Sequence, residues 1–499
     1  MSPLLRRYSP EKWAGLYAMF MLTAFVLWTP PSGYTNFVGP KHQVFLAASG
    51  LFLLGCLPAL ARRPGLTRRQ AWPLAMAGGL AVLFLLSALC SDYPQVVWLG
   101  NRRQEGFLTL ALYLGIFAAM AVWGRLGEGH GFAAAGASIL VFALVLAQFL
   151  GYNPLGLYPD GLGFHDRGLA YSGEYLGTIG NSDLLSAYLT MMVLYLMGTY
   201  LAVPGRGFCL AGGFFAWLSL LLSEVSAGPV AIAAALALAL PVCLWRGVGL
   251  RRMGEMLALL VLGVLLKSAL GYRYANGELS FFLQFGWMQA ALAAAVALGA
   301  VGAVFLRRLP EGRGYPKPAL AVVLLALAVL AAVLGFLWAY QGDNQTLQEI
   351  SALLHGNPPP TLGSSRIAIW TEALELGWKK PWLGGGPDTY QLRSTLIFSR
   401  ALPDGGVRRT SVDAAHNEYL NLWVNTGLPS MLVYLAMLGM CLLPALRRPG
   451  RETLPLLLPA LGYAIHGLFG ISQSVVSPLF YLFLGALVHA GSMNPGEAA

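Results

Sequence analysis

The sequence predicts an all-α, polytopic integral membrane protein, and its composition and its long apolar runs carry that prediction. Of 499 residues, 57% are hydrophobic and only 11% are charged, and the mean hydropathy is +0.62. A soluble domain carries about 25% charged residues. The apolar runs are long enough to cross about 30 Å of hydrocarbon as helices. In lipid each backbone amide must be paired within its own segment, so these runs are expected to be helical.

We predict about fourteen transmembrane helices, with about twelve as the lower limit. They divide the chain into eleven helices within 1–340, a large extracytoplasmic loop at 341–415 and the C-terminal helices within 416–499. The predicted helices are 13–30, 41–60, 71–90, 106–124, 131–150, 181–203, 207–223, 226–245, 255–271, 280–306, 319–340, 416–446, 454–471 and 474–492.

The positive charges predict the orientation of these helices. Alternate short connections hold 19 of the 32 Lys and Arg residues. By the positive-inside rule that side is cytoplasmic, so we expect both termini inside the bacterial inner membrane. The net charge of +10 is then a topology signal, and we expect contacts with membrane lipids and none with nucleic acid. The 19 residues are Arg6, Arg7, Lys12, Arg62, Arg63, Arg68, Arg69, Arg125, Arg206, Arg246, Arg251, Arg252, Arg307, Arg308, Arg313, Lys317, Arg447, Arg448 and Arg451.

The long connections fall on the opposite side, which predicts an outer functional face. The 341–415 loop is too long to lack structure of its own. Within it, 364–380 is predicted to be an amphipathic helix, because Ile367, Trp370, Leu374 and Trp378 recur at helical spacing. Either Ser364 or Ser365 would be its N-cap.

Several arginines lie on this outer side, where orientation does not require them. Arg102 and Arg103 are flanked by Gly100 and Gly106, and Arg366 falls in the first turn of the amphipathic helix. Guanidinium is a planar, permanently charged group suited to bidentate phosphate contacts. We therefore predict that these three arginines bind phosphate; lipid-headgroup contact or salt bridging is the alternative.

His416 is the strongest single candidate for catalysis. It lies where the large outer loop meets the next helix, in Val412-Asp-Ala-Ala-His-Asn-Glu-Tyr-Leu420. Histidine, with an ordinary pKa of about 6.5, accepts a proton near neutral pH. Asp413 or Glu418 would orient its ring, and the residues alone leave that choice open. The alternative is a structural histidine that caps a helix.

Two motifs typical of metal-dependent and serine-nucleophile enzymes are absent from the sequence. The sequence has no D-x-D and no G-x-S-x-G, so we expect neither a metal nor another cofactor and no covalent serine intermediate. The five cysteines lie in apolar segments and are predicted to be packing residues. Arginine for phosphate and histidine for the base fit glycosyl transfer from a polyprenyl diphosphate, whose leaving group gains negative charge.

At these residues the chain resembles the O-antigen ligase family. The similarity covers Arg366 to Trp370 (R-x-x-x-W), Pro381 to Gly386 (P-W-L-G-G-G), the stretch from Asp413 to Leu420, and Gly427-Leu-Pro; 177–182 is a weaker match. The resemblance implies a GT-C-like fold and a metal-independent, inverting transfer of glycan from undecaprenyl diphosphate to a hydroxyl acceptor. The acceptor would be a lipid-linked glycan, a lipid A core or a protein.

The resemblance also assigns roles. It makes Arg366 and His416 the catalytic pair, and Asn417, Glu418 and Asp413 substrate-binding residues beside Arg102 and Arg103. The chain departs from the family at 226–228, where Ser-Ala-Gly lacks the usual arginine. Either Arg102 or Arg103 then supplies that charge, or the donor differs.

Other functions stay open at this point. The same superfamily includes Wzy-type glycan polymerases and protein O-oligosaccharyltransferases, and chains once labelled as bicarbonate transporters. An anion transporter would need polar residues at mid-membrane depth. Only Lys267 lies well inside an apolar run, and its long side chain can extend to the interface.

Overall fold

The fold is described from a computed structural model. It covers residues 9–493 apart from 62–63, 160–173, 204, 276–277, 311, 344, 358, 360–361 and 402–406. The first helices are α1 (Pro10–Leu22), α2 (Ala24–Leu27), α3 (Val38–Leu60), α4 (Arg68–Leu89), α5 (Phe107–Trp123), α6 (Glu128–Phe149), α7 (Ser182–Ala202), α8 (Gly207–Leu222), α9 (Ala227–Arg246) and α10 (Leu250–Ala269). A 3₁₀ helix, Gly33–Asn36, precedes α3.

The second half of the chain adds two β-hairpins to the helices. Strands β1 (Leu270–Ala275) and β2 (Glu278–Leu283) pair antiparallel, as do β3 (Ile397–Ala401) and β4 (Val407–Ser411). The remaining helices are α11 (Trp287–Arg307), α12 (Pro316–Trp338), α13 (Gln345–Leu354), α14 (Leu362–Lys379), α15 (Tyr390–Arg393), α16 (Glu418–Thr426), α17 (Leu428–Arg447), α18 (Leu454–His466) and α19 (Ser477–Ser492).

Helix α7 is the centre of the bundle. Its side chains are almost all buried, because α18, α8 and α9 pack around it. Helix α12 is the opposite case: it is apolar and largely exposed. Exposed Leu and Val on such a helix are what a lipid-facing surface requires, since hydrocarbon and not water surrounds them.

The described residues include eight helices long and apolar enough to cross a membrane, and four shorter apolar helices. This confirms the predicted all-α membrane fold, whereas the count of fourteen helices stays a prediction. All five cysteines are free. Four are buried as predicted, and Cys90 at the end of α4 is exposed.

The arginine-rich connections meet at one end of the bundle. The guanidinium of Arg246 at the end of α9 donates to the carbonyl of Arg447 at the end of α17, at 3.4 Å. Arg69, at the start of α4, donates to the carbonyl of Gly491 in the last turn of α19. At the other end, Ser87 near the end of α4 donates to the Leu383 carbonyl in the segment after α14, and Ser472 before α19 donates to Glu105 in the loop after α4. Which end faces the cytoplasm stays a prediction from charge.

Five predicted helices differ clearly from the structure. The helix predicted at 255–271 begins at Leu250, and the one predicted at 454–471 ends at His466. The helix predicted at 13–30 is interrupted at Thr23, between α1 and α2. The helix predicted at 280–306 begins only at Trp287, because 278–283 form β2, whose Phe281 packs on Phe149 at 5.6 Å between ring centroids. The helix predicted at 416–446 is broken at Gly427, where φ is +92°.

The loop predicted at 341–415 has regular structure in its described residues, as predicted. It contains α13, α14, α15 and the β3–β4 hairpin. Helix α14 is the amphipathic helix predicted at 364–380, and it begins two residues earlier, at Leu362. Its buried Ile369, Ala373 and Leu376 form a small core with Tyr390 and Val424, which attaches the loop to α16.

Candidate active site

His416 occupies a backbone position fixed on both sides. The side-chain carbonyl of Asn417 caps α16 by accepting from the amides of Tyr419 and Leu420, each at 3.1 Å. On the other side the amide of Ala415 donates to the Asn421 side chain at 3.2 Å. His416 itself has φ +47°, a left-handed conformation unfavourable for a residue with a Cβ. These caps hold the imidazole at the start of α16 although the backbone there is strained.

The carboxylate nearest to the His416 ring is Asp183. Its Oδ2 lies 3.8 Å from His416 Nδ1. Asp183 is in the first turn of α7, whose N-cap is Asn181, with its side-chain oxygen 3.0 Å from the amide of Leu184. Sequence reasoning missed this residue. The only signal was the Gly177 to Ser182 match, which ends immediately before it.

The two carboxylates proposed from sequence have other direct partners. Asp413 forms an ion pair with Arg103, which is 8% exposed. Glu418 is buried and accepts from the Tyr434 hydroxyl at 2.9 Å. Arg103 is therefore neutralised by Asp413 and not free, whereas Arg102 beside it is exposed.

The charges around this site oppose one another. Burial raises the pKa of Asp413, but the charge and hydrogen bond of Arg103, together with the charges of His416 and Arg102, outweigh burial and hold that pKa below its ordinary value. Burial lowers the pKa of His416, Arg103 and Arg366 lower it further, and Asp183 and Asp413 act against them. Because the net shift is downward, His416 is a neutral imidazole at pH 7 and can accept a proton.

Arg366 lies on α14, whose Ile369 packs in one small core with Val412 and Ala415 beside His416, and the Arg366 charge lowers the pKa of His416. It is half-buried in the first turns of α14. One Nη donates to the Gly363 carbonyl at 3.1 Å, and its Nε has no hydrogen-bond partner in the described part of the chain. A half-buried guanidinium with unused donor capacity is suited to an anionic ligand.

The loop that carries Arg102 and Arg103 is tied to the segment after α14. The Asp388 carboxylate accepts from the amides of Asn101 at 2.5 Å and Glu105 at 3.2 Å. In the same region Arg393 donates to the Val424 carbonyl at 2.8 Å, so this arginine has a structural contact. The 341–415 loop thereby fixes the position of the loop between α4 and α5.

Backbone strain is concentrated at this site. Five described residues other than glycine have positive φ, and four of them are Gln104, Ser365, Asp388 and His416. Such conformations cost about 1 to 3 kcal/mol each and collect at functional sites. Each of the four is in, or next to, a segment that supplies a candidate residue.

A small acidic cavity lies behind the site. It has a volume of about 40 Å³ and is lined by Glu105, Asp388 and Glu418. Glu105 accepts hydrogen bonds from Tyr113 and, at 2.8 Å, from Ser472. Burial raises the pKa of Glu105 to about 8 and that of Asp388 to about 6. At pH 7 Glu105 is therefore mostly neutral, which reduces repulsion within the cavity.

Several residues of the candidate site lie in a segment that matches a known protein family. A family model described as O-antigen ligase matches residues 280–435. This segment belongs to the O-antigen ligase family. Arg366, Asp413 and His416 lie within the matched residues, whereas Arg103 and Asp183 lie before them. Neither a curated protein nor a solved structure matches the chain.

The match confirms the resemblance seen in the sequence. Together with the apolar helices, the match supports a multi-pass protein of the bacterial inner membrane that contains an O-antigen ligase-type segment. O-antigen ligases act on lipid-linked glycans and their acceptors. The roles of the individual site residues stay predictions. Among the described residues no group of three His, Cys, Asp or Glu side chains could hold a metal ion.

Proposed function

We propose that this O-antigen ligase-type protein is a glycosyltransferase. It moves a glycan from undecaprenyl diphosphate to a hydroxyl acceptor at the outer face of the inner membrane, with inversion and without a metal. The observation that carries the proposal is that the helix of Arg366 packs in one small core with Ala415, the residue before His416, while Arg366 Nε has no partner in the described residues and the Arg366 charge lowers the pKa of His416. The reaction needs a base for the acceptor hydroxyl and, close to it, a cation for the diphosphate leaving group.

In the proposed reaction, His416 removes the proton of the acceptor hydroxyl. Since Nδ1 faces Asp183, the proton goes to Nε2, and Asp183 stabilises the imidazolium that forms. The acceptor oxygen bonds to the anomeric carbon while the bond from that carbon to the phosphate oxygen breaks. The electron pair leaves with undecaprenyl diphosphate, and His416 later releases its proton to water.

The arginines act on the leaving group. Arg366 and the exposed Arg102 bind the diphosphate as its charge grows. Arg103 is paired with Asp413, so we assign it a positioning role in addition to its long-range charge. The Asn417 oxygen is used as an N-cap, which leaves its amide nitrogen for a substrate hydroxyl.

The test removes the base and the cation separately. We expect His416→Ala and Arg366→Ala to reduce glycan transfer by about a hundredfold or more, the usual contribution of a general base or a charge-stabilising group. The assay is transfer by purified protein in lipid vesicles, with membrane abundance measured in parallel. Arg273→Ala is the matched control, because Arg273 is exposed on the β1–β2 hairpin and contacts only Ser280 among its hydrogen-bond partners in the described residues. Full activity in both site variants would contradict the proposed mechanism.

Ligase and polymerase differ in the acceptor. If the chain is a ligase, cells lacking it accumulate long lipid-linked glycans; if it is a polymerase, they accumulate single lipid-linked repeats. Electrophoresis of the lipid-linked pool separates the two outcomes. We favour the ligase because the matched family model carries that description.

Lys267 does not support the alternative of anion transport. The Lys267 ammonium lies 2.7 Å from Glu224, in the turn between α8 and α9. Its charge is thus paired at the end of the bundle and not free at mid-membrane depth, where a transported anion would need it.

A further inference from the structure

A second cavity lies at the arginine-rich end of the bundle, between α4, α17 and α19. Its volume is about 530 Å³. The interior is apolar, and its lining includes proline and small side chains. Its lining includes Met440, Cys441, Ala445, Leu487 and Val488.

The mouth of this cavity is cationic. Arg68, Arg69 and Arg448 line it together with Trp72, which is 62% exposed. Arg69 donates to the Gly491 carbonyl. In the ranges that the structure describes, no carboxylate lies within ion-pair distance of Arg68 or Arg448. The cavity thus combines an apolar interior with guanidinium groups that lack an acidic partner.

This cavity is separate from the candidate active site. Helix α4 begins at Arg68, and the loop of Arg102 and Arg103 follows its other end. Its 22 residues span about 33 Å at 1.5 Å each, close to the thickness of the hydrocarbon core. A lipid in the cavity therefore belongs to the leaflet opposite the site of glycan transfer.

We propose that this cleft binds one anionic glycerophospholipid of the cytoplasmic leaflet. Charge complementarity selects the ligand: the phosphate lies between Arg68 and Arg448, and one acyl chain enters along Met440, Leu487 and Val488. Basic pockets between transmembrane helices on the cytoplasmic side suit anionic headgroups, and an exposed tryptophan suits the membrane interface. The proposal does not depend on glycan transfer.

The test is native mass spectrometry of the delipidated full chain. Phosphatidylglycerol and phosphatidylcholine are added at equal concentration, and bound lipid is counted. We expect one retained phosphatidylglycerol per chain and about tenfold less binding in the Arg68→Gln/Arg448→Gln double variant, since each arginine near a phosphate supports binding. Arg308→Gln is the control, because Arg308 is an exposed cation at the same end that does not line this cavity.

A cavity-filling variant makes the test independent of charge. Ala445→Trp places an indole in the cleft and leaves every arginine, so it should also lose the retained lipid; size-exclusion profiles verify folding. Equal retention of phosphatidylcholine would overturn the proposal, since the cleft would then be an unselective apolar groove. A loss in Arg308→Gln as large as in the double variant would overturn it too, because surface charge alone would explain the binding.

Discussion

The chemistry of His416 depends on four charged groups with opposing effects. Burial and the two arginines favour the neutral ring, whereas Asp183 and Asp413 favour the imidazolium. The balance keeps the pKa below its ordinary value, so the ring is a base at neutral pH and the carboxylates stabilise the proton once it arrives. Asp183 is the partner that lies beside Nδ1.

Replacing Asp183 tests this balance at a single residue. In Asp183→Asn the negative charge that raises the pKa of His416 is lost, so that pKa falls further. We expect the acidic limb of the profile of kcat/KM against pH to move to lower pH, and kcat to fall by about tenfold because the ring is less well positioned.

A second aspartate variant separates this effect from a general loss of charge. Asp92 is exposed and paired with Lys380, so Asp92→Asn should leave the acidic limb in place. If Asp183→Asn lowers the rate without moving that limb, Asp183 is a structural residue and not the partner of His416.

Sequence reasoning predicted roles for His416 and Arg366 because each stands in a local motif. It did not find Asp183, which is on α7, far back in the chain and outside any motif of its own. It also grouped Asp413 with His416 by proximity in sequence, although the Asp413 side chain pairs with Arg103. Proximity along the chain does not determine which face of a loop a side chain occupies.

At the scale of elements, the junction between α16 and α17 explains why residues 384 and 427 are glycines. The amide of Leu428 donates to the Pro381 carbonyl at 2.7 Å, so the start of α17 lies against the segment that follows α14. A Cβ on Gly427 would be 2.0 Å from the Trp382 carbonyl oxygen, and one on Gly384 would be 2.4 Å from the Asn425 backbone. The glycines allow these two backbones to touch.

Gly427→Ala is therefore expected to disrupt the junction. The alanine meets backbone atoms at a φ of +92°, so we expect a loss of about 3 kcal/mol or more in the free energy of unfolding. Glycan transfer should fall with it, since α16 carries His416 at its start. Thermal unfolding in detergent measures the first effect, and the vesicle assay the second.

The matched control is Gly439→Ala, in the middle of α17. Its Cβ would meet only Leu443 Cδ1, at 3.9 Å, and alanine is the better helix former by about 1 kcal/mol. This variant should be neutral or slightly more stable. Similar unfolding temperatures for both variants would show that the Gly427 contact is unimportant.

At the scale of the whole molecule, the bundle has two chemically different ends. The arginine-rich connections and the lipid cleft lie at one end, and the strained outer loops with His416 lie at the other. If the positive-inside rule holds, the candidate site faces away from the cytoplasm, where a finished lipid-linked glycan would meet its acceptor.

Single cysteines test this orientation. In a Cys90→Ser background, which removes the one exposed native cysteine, we expect Asp343→Cys to react with a membrane-impermeant maleimide in intact spheroplasts. Arg308→Cys at the other end should react only after the membrane is disrupted. The reverse pattern would place the candidate site in the cytoplasm and contradict the proposed function.

The sequence by itself determined the membrane fold, the division of the chain into two unlike ends and the family, because these follow from apolar length, charge distribution and local motifs. Only the tertiary structure showed which carboxylate lies beside the His416 ring. It also showed that Asp413 neutralises Arg103 and that α16 and α17 are separate helices. Those features depend on contacts between segments far apart in the chain. Local composition does not encode them, since the free energy that fixes each pairing comes from burial and charge at the place where the segments meet.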